Sequence, residues 1–350
     1  MRTRITELLG IHHPILLSGM SWIATPRLVA AVGEAGGLGI LATGVMSEAE
    51  TRQALGDLRE LSQAQFAANV TLYFPGAERN AKILIEEQVP VVNYSLGKGD
   101  WIAEAVHAYG GKVIATVTTH RHALAAQRDG ADALIVTGHE AAGHGGAVTS
   151  LVLVPAIVDA VDIPVIAAGG FADGRGLAAA LALGAEGIAM GTRFMNTMES
   201  PAHASAKQAS IEREVYDTVY TPKVDGLPAR FMRSGATRRF MHRPLNLFSA
   251  LLDSRDIARM LGYSWPKLCA GILLSGPRNA LRMARMAKGF KAFRSGTVDG
   301  DQRHGVLPLG QVTGLVHDTP TVADLIARTV EEAATVIERL GVGRSPGHPA

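Results

Sequence analysis

At 350 residues, 47% of them hydrophobic and 19% charged, the chain can bury one large core or two ordinary ones, a balance that excludes disorder and collagen-like repeats. A single cysteine, Cys269, rules out an internal disulfide framework and a Cys-based zinc cluster and fits a reducing compartment. Formal net charge is +2, unevenly spread: residues 223–294 hold fifteen Lys/Arg against three Asp, a net of +12, and the remainder holds 19 against 29, a net of −10.

Met1-Arg-Thr-Arg-Ile-Thr-Glu opens the chain without the apolar run of a signal peptide, and no stretch of about 18 apolar residues follows, so a soluble cytoplasmic protein is the expectation. Over the first 195 residues one unit repeats: a short apolar run, a turn, then a stretch rich in Ala, Leu and Glu. Strands are predicted at 14–20, 38–43, 66–72, 89–96, 112–117, 131–138, 164–170 and 187–194, and their ends recur every 21 to 32 residues. Helical patterns lie between them, for example at 25–34, 48–60, 121–128 and 174–183, which makes consecutive strands parallel. Eight apolar strands in such units favour a closed (β/α)₈ barrel (a TIM barrel), since closure leaves no edge and buries both faces; the alternative is a doubly wound sheet.

After Phe194 the period stops. Residues 196–304 read as a mostly helical, basic insertion covering the substrate side, with breaks at Pro222, Pro244, Pro266 and Pro277, leaving 1–195 and 305–350 as the barrel. Cys269 lies among Trp265, Pro266, Leu268 and Ile272, which reads as a core thiol on a buried helical face. A segment at 305–316 precedes an amphipathic helix at 321–340, whose Leu325, Ile326, Val330, Ala333, Ala334 and Ile337 fall near helical spacing and should pack back on the barrel.

A barrel of this kind binds ligands where its strands end at their carboxyl side. After strand seven comes Ala168-Gly169-Gly170-Phe171-Ala172-Asp173-Gly174, and after the core of strand eight Met190-Gly191-Thr192-Arg193-Phe194. Gly169, Gly170, Gly191 and Thr192 can bring backbone N–H groups to a phosphate with no side chain in the way. The loop after strand six, Gly138-His139-Glu140-Ala141-Ala142-Gly143-His144-Gly145-Gly146, lacks the His-Glu-x-x-His spacing of a helical zinc site. Its His144, flanked by glycines at the barrel mouth, suits a general base or hydrogen-bond donor to a ligand. Ser18, Gly19 and Met20, then Thr43 and Gly44, Asn69 and Asn93 add small or polar groups at other strand ends, and an amide such as Asn69 suits the polar edge of a flavin ring.

In order, these segments form a long set: Gly19-Met20, Ala-Gly-Gly-Leu-Gly at 35–39, Phe-x-x-Asn at 66–69, Glu-x-x-Gly-His at 140–144, the glycine motif at 168–176, Gly-Ala-x-Gly-Ile-x-Met-Gly-Thr-Arg-Phe at 184–194, and Gly310-Gln311. The set resembles the nitronate monooxygenase (2-nitropropane dioxygenase) family and its relatives, which include NADH:quinone reductases, flavin-dependent enoyl-thioester reductases and a steroid-ring-degrading flavin reductase. The resemblance implies FMN at the barrel mouth, its phosphate at Gly169, Gly170, Gly191 and Thr192. Gly19, Met20, Asn69, Gly143 and Ala168 then lie around the cofactor, His144 is the catalytic histidine, and Gln311 closes the pocket. The chain departs from the pattern at Leu17, where relatives often have Gln, and at Thr116, where some have Lys.

Two reactions follow from the resemblance: oxidation of alkyl nitronates by O₂, or NAD(P)H-dependent reduction of a quinone, enone or CoA-thioester through FMN. The basic block bears on the second, since it would attract an anionic partner such as a CoA phosphate, and Met232, Met241, Met260, Met283 and Met286 could adapt to a bulky apolar group. An ordinary solvated helical face explains the block equally. A nucleic-acid-binding module is the distant alternative, against which stand the poor alternation of aromatics with the basic residues and the lack of a nucleic-acid motif. The partner expected is therefore a small molecule, with neither nucleic acid nor membrane, and a homodimer is the assembly considered.

Overall fold

The computed structural model describes residues 1–74, 76–243, 251–255, 258, 264–274 and 276–342. All eight expected strands form: β1 Ile15–Leu17, β2 Leu38–Ala42, β3 Phe66–Thr71, β4 Val91–Ser95, β5 Lys112–Val117, β6 Ala133–Thr137, β7 Val165–Ala168 and β8 Gly187–Met190. They pair in parallel in chain order, and β1 closes the ring by pairing with both β2 and β8, so the doubly wound alternative is excluded. The ends of β1 and β8 stop short of the expected strands, because the chain turns inward at Gly19 and begins a short helix after Gly191.

Local chemistry sets the crossover helices. Ser47 caps α3 (Glu48–Leu61) by accepting from the Glu50 N–H, while Glu50 returns a carboxylate to the Ser47 N–H at 2.7 Å, a reciprocal pair that satisfies two otherwise orphaned donors. Asp173 caps α8 (Gly174–Ala182) through the Gly176 N–H at 2.9 Å.

The two-residue period of a strand divides the barrel core into two layers. Leu38, Ile40, Ala67, Val91, Ile114, Ala133, Ile166 and Ala189 fill the interior, and Ile5 and Leu9 of α1 (Arg4–Leu9) plug its amino end. Alternate residues such as Ala68, Val92, Ala115 and Val136 pack outward beneath the helices. Continuing the inner parity towards the carboxyl ends reaches Asn69, Asn93, Thr116 and Thr137, so polarity appears where the apolar interior stops.

The last helix, α14 (Val322–Val342), lies across α8 so closely that a side chain on Gly174 would meet the Ala333 N–H nitrogen at 2.4 Å and Thr329 O at 2.5 Å. Leu325, Ile326 and Ala333 are buried as the spacing predicts; Ile337, one turn further along, is exposed.

Within 196–304 an antiparallel ribbon, β9 (Thr218–Thr221) with β10 (Ala229–Met232), stands beside the helices, an element absent from the helical expectation. Pro266 and Pro277 sit in the first turns of α12 (Trp265–Leu274) and α13 (Pro277–Thr297), where a missing N–H costs nothing, so they open helices and do not break them. Cys269 is only half-buried on α12. Pro244 and Met260 lie outside the described residues. Val224, Ala229, Phe231, Met286, Phe290 and Phe293 form a second core with Val45 and Phe74 of the barrel loops, which seats this segment on the barrel mouth.

Candidate active site

Barrel and roof enclose one chamber of about 750 Å³, within the range of about 300–1,000 Å³ usual for ligand pockets. Its floor is a ladder of amides and hydroxyls. Asn69 Nδ2 donates to Asn93 Oδ1 at 2.6 Å, and Asn93 Nδ2 donates to Thr116 Oγ1 at 3.0 Å and to Ile114 O at 2.9 Å. The register aligns Asn69 with Asn93 and Thr116 with Ser95, so inner-facing residues of β3, β4 and β5 come together at one depth. Thr116 thus enters the floor as a hydroxyl partner. Leu17, by contrast, is fully buried in the layer between strands and helices, outside the chamber lining.

Ser18, Gly19 and Met20 line the side reached from β1. A side chain on Gly19 would stand 2.8 Å from Asn69 Cβ, and one on Gly191 would stand 3.3 Å from Met20 Sδ, so these turns meet neighbours directly. Gly169 and Gly170 have φ of +94° and +88°, a left-handed backbone that glycine adopts without strain. Together with Ala168, Gly191 and Thr192 they leave a stretch of chamber wall that is almost bare backbone. Thr192 Oγ1 accepts the Gly310 N–H at 3.1 Å, joining the β8 turn to the 305–316 segment. Gly310 and Val312 line the chamber; Gln311 does not, and its N–H donates to Glu140 O at 2.9 Å.

The loop after β6 is held on three sides. Glu140 accepts from the Ser150 N–H at 3.0 Å, and Ser150 Oγ donates to Gly169 O at 2.6 Å. Gly143 bridges to Arg230 of β10, whose Nε donates to His139 O at 3.0 Å. Burial holds the Arg230 guanidinium below its ordinary pKa, and Tyr220 of β9 donates to Gly145 O at 2.8 Å. His144 is thereby presented at the chamber wall with Phe74 edge-on to its ring, and its Nε2 lies 2.7 Å from Asp225 Oδ2.

Phenylalanines make the roof. Phe74 and Phe290 meet edge to face at 4.9 Å between centroids, and Phe231 stacks on Phe293 at 5.4 Å. Met232, Met241, Met283 and Met286 of the expected set are absent from the lining, whose methionines among the described residues are Met20 and Met195. Sequence reasoning also passed over Asp225, Arg230 and the four phenylalanines. Two signals were available: Phe290 and Phe293 are three apart on one helix face, and Asp225 is one of three acids in a basic block.

A bare-backbone wall opposite an amide floor fits a flavin, whose phosphate needs close approach to N–H groups and whose ring edge needs paired donors and acceptors. Tyr94, which also lines the chamber, has its phenol pushed up to about 12 by burial, so it brings no charge at neutral pH. Among the described residues no helix is long and apolar enough to cross a membrane.

The chain matches the family model for nitronate monooxygenase over residues 2–82 and 74–332. It is 39% identical over 350 residues to a (3aS,4S,5R,7aS)-5-hydroxy-7a-methyl-1-oxo-octahydro-1H-indene-4-carboxyl-CoA dehydrogenase of Rhodococcus jostii strain RHA1, covering 99% of each chain. A probable nitronate monooxygenase of Staphylococcus saprophyticus is 33% identical over 290 residues, which are 69% of this chain and 81% of that one. The structure of FabK from Thermotoga maritima superposes with a TM-score of 0.82 at 37% identity, over 98% of this chain and all of that chain.

Proposed function

Because the chain belongs to the nitronate monooxygenase family of flavin-dependent oxidoreductases, we propose that it holds FMN in the barrel mouth and exchanges hydride between a nicotinamide and a CoA thioester bearing a ring-sized acyl group. Bound flavin supplies the centre that accepts and gives hydride. Gly169, Gly170, Gly191 and Thr192 would hold its phosphate, Asn69 and Asn93 would serve the polar edge of its ring, and Gly19, Met20, Gly143 and Ala168 would line the rest of its site. His144 takes or gives the proton at the reacting carbon.

The observation that carries this reading is the chamber, about 750 Å³ under a roof of Phe74, Phe231, Phe290 and Phe293. A nitronate of a few carbons would leave most of such an apolar roof uncovered, whereas a fused alicyclic ring would bury it. The CoA dehydrogenase relative is matched along its whole length, the 196–304 segment included. Arg282 lies over the ring of Tyr73, a lining residue, at 4.6 Å, which sets a guanidinium beside the chamber suited to a phosphate of a CoA arm.

Oxidation of alkyl nitronates by O₂ is the second reading, favoured by the family model and by the nitronate monooxygenase relatives. Anaerobic stopped-flow separates the two. Flavin bleaching by NADH or NADPH, followed by reoxidation with cyclohex-1-ene-1-carboxyl-CoA, supports the thioester reading. Bleaching by propyl nitronate with both nicotinamides inert overturns it.

A further inference from the structure

We propose that Asp225 is the positioning residue for His144, fixing the imidazole with its proton on Nε2 and leaving Nδ1 as the basic nitrogen that meets substrate. The inference rests on the reading of His144 as the acid–base group, and it adds a partner from a different part of the chain, 81 residues away.

Asp225 is 2% exposed, and among the described residues no Lys or Arg pairs with it. Its Oδ2 is 2.7 Å from His144 Nε2, and its Oδ1 accepts the Leu227 N–H at 3.2 Å. Burying a carboxylate with so few partners is expensive, and an apolar side chain would pack there at lower cost. Its presence is explained by what it does to the ring. A carboxylate only accepts, so the imidazole nitrogen facing it must carry hydrogen, and in the neutral ring the other nitrogen is then the lone-pair site. That other nitrogen, Nδ1, has no partner among the described residues and is not sealed from the chamber that His144 lines.

Two parts of the fold have to meet for this. His144 comes from the loop after β6, and Asp225 from the turn between β9 and β10, which α13 presses into place. A side chain on Gly289 of α13 would stand 2.6 Å from Asp225 Cβ, so the absence of one allows the helix to back directly onto the aspartate. The ring is oriented only when the roof is docked.

Imidazole ¹⁵N shifts of His144, identified as the signal missing in His144→Ala, report the tautomer in ¹⁵N-histidine-labelled holoenzyme. The expected result is an Nε2–H ring in the unmodified protein. In the isosteric Asp225→Asn variant, the amide donates to Nε2, so the proton moves to Nδ1. Turnover then falls about 10²- to 10⁴-fold with KM little changed, as for loss of a group acting in proton transfer. In a His144→Ala background, Asp225→Asn should cost nothing further.

An Nδ1–H ring in the unmodified protein, or an equal further loss from Asp225→Asn without His144, overturns the proposal. The first measurement needs no variant of Asp225 to fold. Normal turnover by His144→Ala would instead remove the acid–base reading, and the tautomer would still decide whether Asp225 sets the ring.

Discussion

Gly289→Ala tests the mechanical link between roof and the His144 loop with a single methyl group. The added carbon would lie 2.6 Å from Asp225 Cβ, 2.9 Å from Asp225 Cα and 3.1 Å from Val224 O. Carbon atoms rest at about 3.5–4.0 Å, so α13 and the 224–226 turn must part by about 1 Å. Adding about 1 Å to the 2.7 Å contact between His144 and Asp225 takes it beyond hydrogen-bonding range. Overpacking of this kind costs about 1–3 kcal/mol, against which alanine gains about 1 kcal/mol over glycine in a helix. The net loss of up to about 2 kcal/mol leaves the protein folded, while a displacement of about 1 Å in the catalytic geometry can lower turnover about 10²-fold. Thermal melting and the rate of flavin reduction, measured together, separate the two effects. Gly56→Ala in α3 is the control: nothing lies within 4 Å of its methyl, so stability should rise and turnover stay intact. Wild-type turnover in Gly289→Ala, at unchanged stability, would refute the idea that α13 holds Asp225 against His144.

His144→Ala should retain flavin, read by absorbance, and lose about 10²- to 10⁴-fold in turnover. Asn69→Ala removes the donor to Asn93 Oδ1 in a buried floor, so a loss of about 1–3 kcal/mol in urea unfolding is expected, together with weaker flavin retention on dilution. Arg282→Ala should raise KM for a CoA thioester several-fold and leave KM for propyl nitronate unchanged; equal effects on both would detach Arg282 from CoA. Acid supplies a test of the wall at β8, where buried Arg193 pairs with Asp318 at 2.8 Å. Burial raises the Asp318 pKa, but Arg328 and Arg193 outweigh it and hold the carboxyl below its ordinary 3.8. A depressed folded-state value stabilises above the ordinary pKa and is lost as pH falls through the folded one. Flavin release, followed by fluorescence from pH 5 downward, should therefore show an acid step that Asp318→Asn diminishes.

The barrel was legible in the residues because its signals are local. A strand buried on both faces reads as an apolar run, its crossover helix has its own period, and eight such units close without an edge. The positions of Asn69, Asn93 and Thr116 follow from the same two-residue parity, and so does the outward packing of Leu17. The glycine turn at 169–170 was visible for the same reason, since a left-handed backbone favours that residue type. What the residues left undetermined was everything joined across long chain separations. The β9–β10 ribbon has only four residues in each strand, too few to show a period, and it bridges to Gly143 and Pro308. The roof draws on Phe74, Phe231, Phe290 and Phe293, which become one surface only when α13 and the ribbon dock on the barrel. Asp225 meets His144 in the same way. Sequence alone determined a parallel barrel with a glycine-lined, amide-floored mouth, because periodicity and backbone preference act over a few residues. Only the tertiary structure decided what stands over that mouth and which carboxylate holds its histidine, because those contacts depend on packing between elements that no local pattern encodes.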